Sequence, residues 1–422
     1  MTFRFTVYRW ISITFWILAF LAIPVWNGLC PGLHCDAQIY RRASDSLQAG
    51  RDPYVDGIKA ETAFRSQLAS HPDAVPPYAY LYSPLTLPLL RAVGSFPPAL
   101  YKGIYWLLYA AGVLASILAS MKFAEPNERR FFAVLAPAAA FFPGLIQEAS
   151  LMDGNIAFIL YGLLFACAYL GWRRGQWHWF YLAVLLASCF KIPMLSLLAI
   201  PLLSARKQWL AACGTGIAGV SIFLMQIWIW PSRFQHYLQA IHLEFSLGHG
   251  IGVGPAGIFG FALFNAGRPY SSASTILFVL YAIPLFGLLL RLSRRFHEGR
   301  FSLERWVPVM MVGVILLNPR VLENDFAPLT LFMAMILWRT LNASTSTKGA
   351  LYFSFLFVAA INIAVLLVAS IDPTGFYLNC IQGSVLIAVF SAGCWNLLGY
   401  AREYESNLEL LLATPAIPEF GD

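Results

Sequence analysis

The feature that most constrains this chain is the repeated return, along its 422 residues, of apolar runs up to about 20 residues long, bounded by short basic or turn-forming stretches. A helix rises 1.5 Å per residue, so about 20 apolar residues cross the roughly 30 Å hydrocarbon core of a bilayer. Composition agrees with that solvent: hydrophobic residues make up 59% of the chain and charged residues 12%, against roughly 25% charged in soluble domains. The expected class is all-α, a polytopic integral membrane protein in contact with membrane lipid. The net charge of +7 then points to membrane orientation, and no nucleic-acid partner is expected. Of the seven cysteines, Cys167, Cys189, Cys213, Cys380 and Cys394 lie in or beside apolar runs, and no metal-ligand spacing links them.

Apolar runs at 10–27, 98–121, 131–147, 155–172, 177–190, 193–204, 209–230, 272–292, 305–317, 326–341, 349–370 and 377–400 predict about twelve transmembrane helices. The first reads as a retained helix, because Trp26-Asn27-Gly28 offers no small-x-small cleavage site. Leu81 to Arg91, broken by Pro84 and Pro88, is too short to span and is expected at the outer face. Residues 177–203 could form one helix, but Lys191-Ile192-Pro193 would then set a cation and a helix breaker near mid-membrane. Two short helices meeting at Lys191 are expected instead.

With the N-terminus inside, this topology leaves most basic residues in the cytoplasm, among them Arg4, Arg9, Lys122, Arg129, Arg173, Arg206 and Arg294; a single helix over 177–203 would move the later ones out. The basic cytoplasmic loops read as plain orientation signals. The expected organisation is a membrane module over residues 1–230 that includes the outer loop 28–97, a second membrane module over 231–400 and a cytoplasmic tail over 401–422. The expected location is the plasma (inner) membrane.

Unusual polar residues collect on the outer side of this topology. Asp36, Tyr40, Ala43 and Leu47 fall at i, i+4, i+7 and i+11, one stripe of a helix that Gly50 would end before a turn at Asp52-Pro53. Asp36 stands at the N-terminus of that helix, where an N-cap and a reactive carboxylate are both open roles. Cys30 and Cys35 either pair beside it or stay free. The segment Gln147 to Asn155 joins two spans and carries Glu148, Asp153 and Asn155, the last also placed to cap the next helix. Lys191 stands at its helix break with no carboxylate near it in sequence, which suits a snorkelling lysine or an anion site. Asn318 to Asp325 sets Arg320, Glu323 and Asp325 between apolar runs, and His236, His242 and His249 lie on or near an amphipathic stretch that fits an interfacial helix better than a metal site.

A carboxylate at the water interface, cations near it and apolar walls suit the reaction of a lipid-linked phosphate ester with a polar acceptor. Asp36 would take the proton of an acceptor hydroxyl, while Lys191 and Arg320 would neutralise the departing phosphate. Tyr40, Tyr82, Glu148, Asp153, Asn155, Glu323 and Asp325 are the candidate substrate-binding residues. Neither a P-loop nor a G-x-G-x-x-G turn occurs before a helix, which disfavours a soluble nucleotide donor.

The run Asp36-x3-Tyr40-x2-Ala43-x6-Gly50-x2-Pro53-Tyr54, followed by Tyr82-Ser83-Pro84-Leu85, Gly154-Asn155, Lys191-x-Pro193 and Asn318-Pro319, resembles the polyprenol-phosphate-mannose-dependent mannosyltransferases of the GT-C superfamily, in the DUF2029 (GT87) family. The resemblance covers roughly residues 10 to 340, with the motifs in the family's order. It implies a GT-C type architecture whose long outer first loop carries juxtamembrane helices. It also implies an inverting, metal-independent transfer of a hexose, mannose by the family's habit, from a polyprenyl-phosphate donor to a lipid or glycan acceptor, with no cofactor. The catalytic aspartate would be Asp36, the lysine-proline break Lys191 and Pro193, and the site would face the periplasm or cell exterior. The chain departs from the family in having Gly154-Asn155 where Gly-Gln is common, and in lacking the Trp and His pair of the late outer loop. A lipid or solute transporter is the competing class, although no repeat of the Asp36 or Lys191 motif marks a second half; an inactive scaffold is the third.

Overall fold

The computed structural model describes residues 36–66, 77–126, 128–129, 154–246, 252, 254–268, 272–319, 321–344, 367 and 376–413. The expected spans at 10–27 and 131–147, the span at 349–370 except residue 367, and Cys30 and Cys35 lie outside them. Among the described residues every regular element is helical. Among the described residues, four helices are long and apolar enough to cross a membrane by length and composition: Pro98–Met121, Trp209–Ile229, Ala273–His297 and Cys380–Arg402. Fewer appear than the twelve expected runs. Three runs lie wholly or mostly outside the described residues, and others fold as shorter pieces, such as the 3-10 helix Ile192–Leu198 and the six-residue helix Ala199–Ser204 where 193–204 was expected.

In chain order the helices are α1 Asp36–Gln48, α2 Pro53–Ser66, α3 Leu87–Gly94, α4 Pro98–Met121, α5 Ala157–Arg174, α6 Trp177–Phe190, α7 Ala199–Ser204, α8 Trp209–Ile229, α9 Pro231–Ser246, α10 Pro255–Asn265, α11 Ser272–His297, α12 Leu303–Leu316, α13 Glu323–Phe326, α14 Thr330–Ser344 and α15 Phe376–Ala413. Contacts at one end of the bundle fix their directions. Trp172 near the end of α5 donates from Nε1 to Ser204 Oγ at the end of α7 (2.7 Å) and packs edge-on against Trp177 at the start of α6, centroids 5.9 Å apart. The chain therefore reverses between α6 and α7. The break falls at Lys191, whose backbone is extended (φ −129°, ψ 99°), because Pro193 has no N–H to continue the helix. Arg206 Nη2 donates to His297 O (2.9 Å) at the end of α11, and Arg173 pairs with Glu304 at the start of α12 (2.8 Å). Those contacts define a far end, and the opposite end carries Asp36, Asn155 and Lys191.

Packing follows from which faces are apolar. In α12 Trp306, Val307, Met310, Met311, Val314 and Ile315 are all buried, as expected of a helix that is apolar all round and sits at the centre. By contrast α4, α8 and α11 turn large apolar side chains outward, including Leu107, Ile217, Trp228 and Ile283. Contiguous apolar exposure of that kind is what lipid-facing helices present. Where α4 crosses α5 the backbones touch: a Cβ on Gly112 would stand 2.5 Å from Phe158 O, and one on Gly162 would run into Gly112 O. Small residues at such a crossing allow the close backbone approach by which membrane helices pack.

The far end corrects one expectation. The loop from Lys122 and the arginines facing it are more than orientation signals, for they carry a buried ion network. Glu128 pairs with Arg339 at 2.7 Å, both side chains under a tenth exposed, and Arg339 also donates to Glu304 O (2.8 Å) and Phe123 O (3.0 Å). Arg305 pairs with Glu125 at 2.7 Å. Removing one partner of a buried pair strands the other charge, so Arg339→Ala is expected to cost about 3–5 kcal/mol. The check is thermal unfolding of the detergent-purified protein; a melting temperature equal to wild type would show that the network contributes nothing.

Candidate active site

The candidate site is assembled from five chain segments at one end of the bundle. The first is α1, which buries Tyr40, Ala43 and Leu47 on the expected stripe and ends at Gly50, whose φ of +71° suits the left-handed turn after a helix. Asp52 does more than begin a turn. Its Oδ1 accepts from the backbone N–H of Tyr54 (2.9 Å) and so caps α2, while its Oδ2 lies 3.1 Å from His236 Nδ1 on α9. Phe234, Tyr237 and Ala240 of α9 are buried in the same cluster as Tyr40 and Tyr54, so one core crosses residue 230.

The second segment is the turn into α5. Gly154 takes φ +66°, and a Cβ there would stand 2.9 Å from Trp106, so glycine is required on both counts. Its carbonyl accepts from the Tyr105 hydroxyl. Asn155 follows. Its Oδ1 accepts from Ala157 N (2.9 Å), capping α5, and its Nδ2 donates to Asp36 Oδ2. The shorter amide of Asn155 thus reaches the carboxylate, and the Asp36 side chain is bonded across the site.

Tyrosines surround this pair. The Tyr40 hydroxyl accepts from Ile156 N (3.1 Å) and shares a 2.7 Å hydrogen bond with the Tyr82 hydroxyl. The Tyr40 ring lies 5.3 Å from Tyr82 and 5.8 Å from Tyr105, centroid to centroid. Tyr54 donates to Tyr82 O (2.6 Å), and Ser83 Oγ donates to Oε1 of the buried Gln226 on α8 (2.7 Å), which fixes the Tyr82-Ser83-Pro84 turn. Leu81 to Arg91 therefore folds as a 3-10 turn, Pro84–Thr86, and the first half of α3, which packs on α1 through Ser44 Oγ donating to Leu90 O (3.0 Å).

The fourth and fifth segments meet in an ion pair. Lys191 Nζ lies 3.1 Å from Asp325 Oδ1, with the two side chains 16% and 7% exposed, and Asp325 Oδ2 accepts from Leu322 N (3.1 Å). Lys191 thus has a carboxylate partner that its sequence neighbours did not supply. Burial pushes the Asp36 carboxyl above its ordinary range, while the Asn155 amide and the Lys191 charge hold it back. Tyr82 is pushed well above its usual value, first by burial and then by the charge of Asp36; Asp325 acts on it as well, so Tyr82 stands within electrostatic reach of both carboxylates.

Of the candidates from sequence, Asp36, Tyr40, Tyr82 and Asn155 form one bonded group, and Lys191 with Asp325 forms a second within electrostatic reach of it. Glu148, Asp153 and Arg320, and the side chain of Glu323, lie outside the described residues. Tyr105, Gln226 and the Asp52–His236 pair were missed. Tyr101, Tyr105 and Tyr109 at i, i+4 and i+8 of an otherwise apolar helix were a usable signal for the first. The sequence matches no known family model and has no significant match among curated proteins.

Gln226→Leu would leave the Ser83 hydroxyl without its acceptor and the Leu85 N–H with only Ser83 Oγ (3.3 Å) of the two acceptors it has in the wild type. Loss of an acceptor costs about 1–3 kcal/mol, so hydrogen exchange should quicken over residues 82–87 in this variant while the far end stays protected. Unchanged exchange there would show that the turn is held by other contacts.

Proposed function

We propose that this chain is a membrane glycosyltransferase that moves a hexose, mannose being the first candidate, from a polyprenyl phosphate to a lipid or glycan acceptor. The observation that carries the proposal is the bonding of Asp36 to Asn155 beside tyrosine hydroxyls and within reach of the Lys191 charge. In the step, an acceptor hydroxyl oxygen attacks the anomeric carbon from the face opposite the phosphate. The new C–O bond forms as the sugar–phosphate C–O bond breaks. Its electron pair leaves on the polyprenyl phosphate, and the hydroxyl proton passes to Asp36. Lys191 and Arg320 stabilise the departing phosphate, and the configuration inverts.

Several features support this reading. Burial keeps the basicity of Asp36 above that of a free carboxylate, and the Asn155 amide orients one of its oxygens, as a general base requires. The motif order that resembles the GT-C enzymes contributes Asp36, Tyr40, Tyr82, Asn155 and Lys191, and these come together at one end of the bundle although they are distant in sequence. The alternating helix directions suit about twelve spans. On that topology the N-terminus and the basic far end lie in the cytoplasm, and the site opens to the periplasm or cell exterior.

Asp36→Asn should fold yet make no product when reconstituted protein is incubated with polyprenyl-phosphate-mannose and membranes lacking it, with mass spectrometry reading the hexose-mass product. Full activity in that variant would remove Asp36 as the base. Uptake of a substrate by proteoliposomes without a covalent product would mark a transporter instead.

The pH profile gives a second test. A raised Asp36 pKa means that activity climbs with pH along a limb centred above the ordinary aspartate value of about 4. The Asn155 amide stabilises the charged form, so Asn155→Ala should move that limb to higher pH. A limb that stays in place or moves down would contradict the assignment.

A further inference from the structure

Tyr161 lies on α5 one turn beyond Ala157, with none of its surface exposed. Its hydroxyl is buried and has no hydrogen-bond partner among the described residues. The charge acting on it is that of Asp325, whose two oxygens already serve Lys191 Nζ and Leu322 N. A buried hydroxyl left unpaired costs about 1–3 kcal/mol, which phenylalanine at the same place would avoid. Lys191 also has donors to spare, since an ammonium carries three N–H groups and Asp325 Oδ1 engages one. Two unused donors, one cationic and one neutral, thus stand within the electrostatic reach of one carboxylate, Lys191 bonded to it directly. A group that satisfies both must accept two hydrogen bonds, and the ammonium favours one that carries negative charge.

We propose that Tyr161 is a further ligand-binding residue, whose hydroxyl donates to a phosphate oxygen of the lipid-linked substrate while Lys191 holds the same phosphate. The proposal rests on the glycosyltransferase reading above. It places the phosphate on the α5 side of Lys191, with Asp325 keeping the lysine in position. In this arrangement the unpaired hydroxyl is stability given up for binding, as is common at functional sites.

The test uses the full-length protein in nanodiscs, with a long-chain polyprenyl monophosphate as probe, and measures both binding and thermal unfolding. Tyr161→Phe should bind the probe about tenfold more weakly, the worth of one hydrogen bond to a charged group, and unfold at the same or a higher temperature. Lys191→Ala should weaken binding as well. Unchanged binding in Tyr161→Phe beside a clear loss in Lys191→Ala would overturn the role of Tyr161 and leave the site reading standing. Failure of the wild type to bind the probe would sink both. A Tyr161→Phe protein that loses stability along with binding would mark a purely structural hydroxyl and also overturn the proposal. Inorganic phosphate, run in parallel, should bind far more weakly than the lipid; equal affinity would overturn a lipid as the source of the phosphate.

Discussion

The arrangement depends on what the chain does with one part-buried ammonium, that of Lys191. Lys191 follows 14 residues of apolar helix, and a straight continuation would have carried it toward the middle of the bundle. A lone charge there costs several kcal/mol, whatever scale is used. The sequence Lys191-Ile192-Pro193 ends the helix instead and turns the chain back, so the ammonium sits at an end of the bundle, 3.1 Å from Asp325. That pair joins the first half of the chain to the segment before α14, across a sequence separation of 134 residues. Since removing one member leaves the other charge without its partner in a largely buried place, the pair ties the two segments together.

Around that anchor the polar groups are supported by rigid elements. Asn155 caps α5 with its oxygen and holds Asp36 with its nitrogen, so the helix start and the candidate base are positioned by one side chain. Tyr105 secures the Gly154 carbonyl, Gln226 secures the Ser83 turn, and Asp52 ties the start of α2 to His236. Each of these bonds joins the helices before α5 to a different partner: the turn into α5, then α8, then α9. At the far end Arg339 and Glu128 do the equivalent work for α14 and the loop after α4. The molecule thus has polar fastening at both ends and apolar packing between, a distribution suited to a helix bundle whose middle lies in lipid.

How much of this was legible in the sequence depended on the range of the interaction. Local patterns read well. The stripe of Asp36, Tyr40, Ala43 and Leu47 and the stop at Gly50 match α1, and the break at Lys191 follows from the missing N–H of Pro193. The amphipathic stretch after Pro231 is α9, with Phe234 and Tyr237 on its buried face. Long-range pairings were not legible, because nothing in the residues near Lys191 names Asp325 and nothing near Glu128 names Arg339. The same limit hid the carboxylate partner of Asn155, which local chemistry marked as a helix cap and which is both a cap and a ligand to Asp36. Apolar runs likewise showed where helices occur but not how long each would be: the run at 193–204 became a 3-10 helix and a short α-helix.

The most direct measurement is a cryo-electron microscopy structure of the full chain in nanodiscs with a polyprenyl-phosphate-hexose bound. The lipid phosphate should lie within hydrogen-bond distance of Lys191 Nζ, about 3 Å, with the anomeric carbon of the sugar facing Asp36 across room for one acceptor hydroxyl. A donor phosphate bound elsewhere, with Asp36 remote from the sugar, would contradict the proposed function.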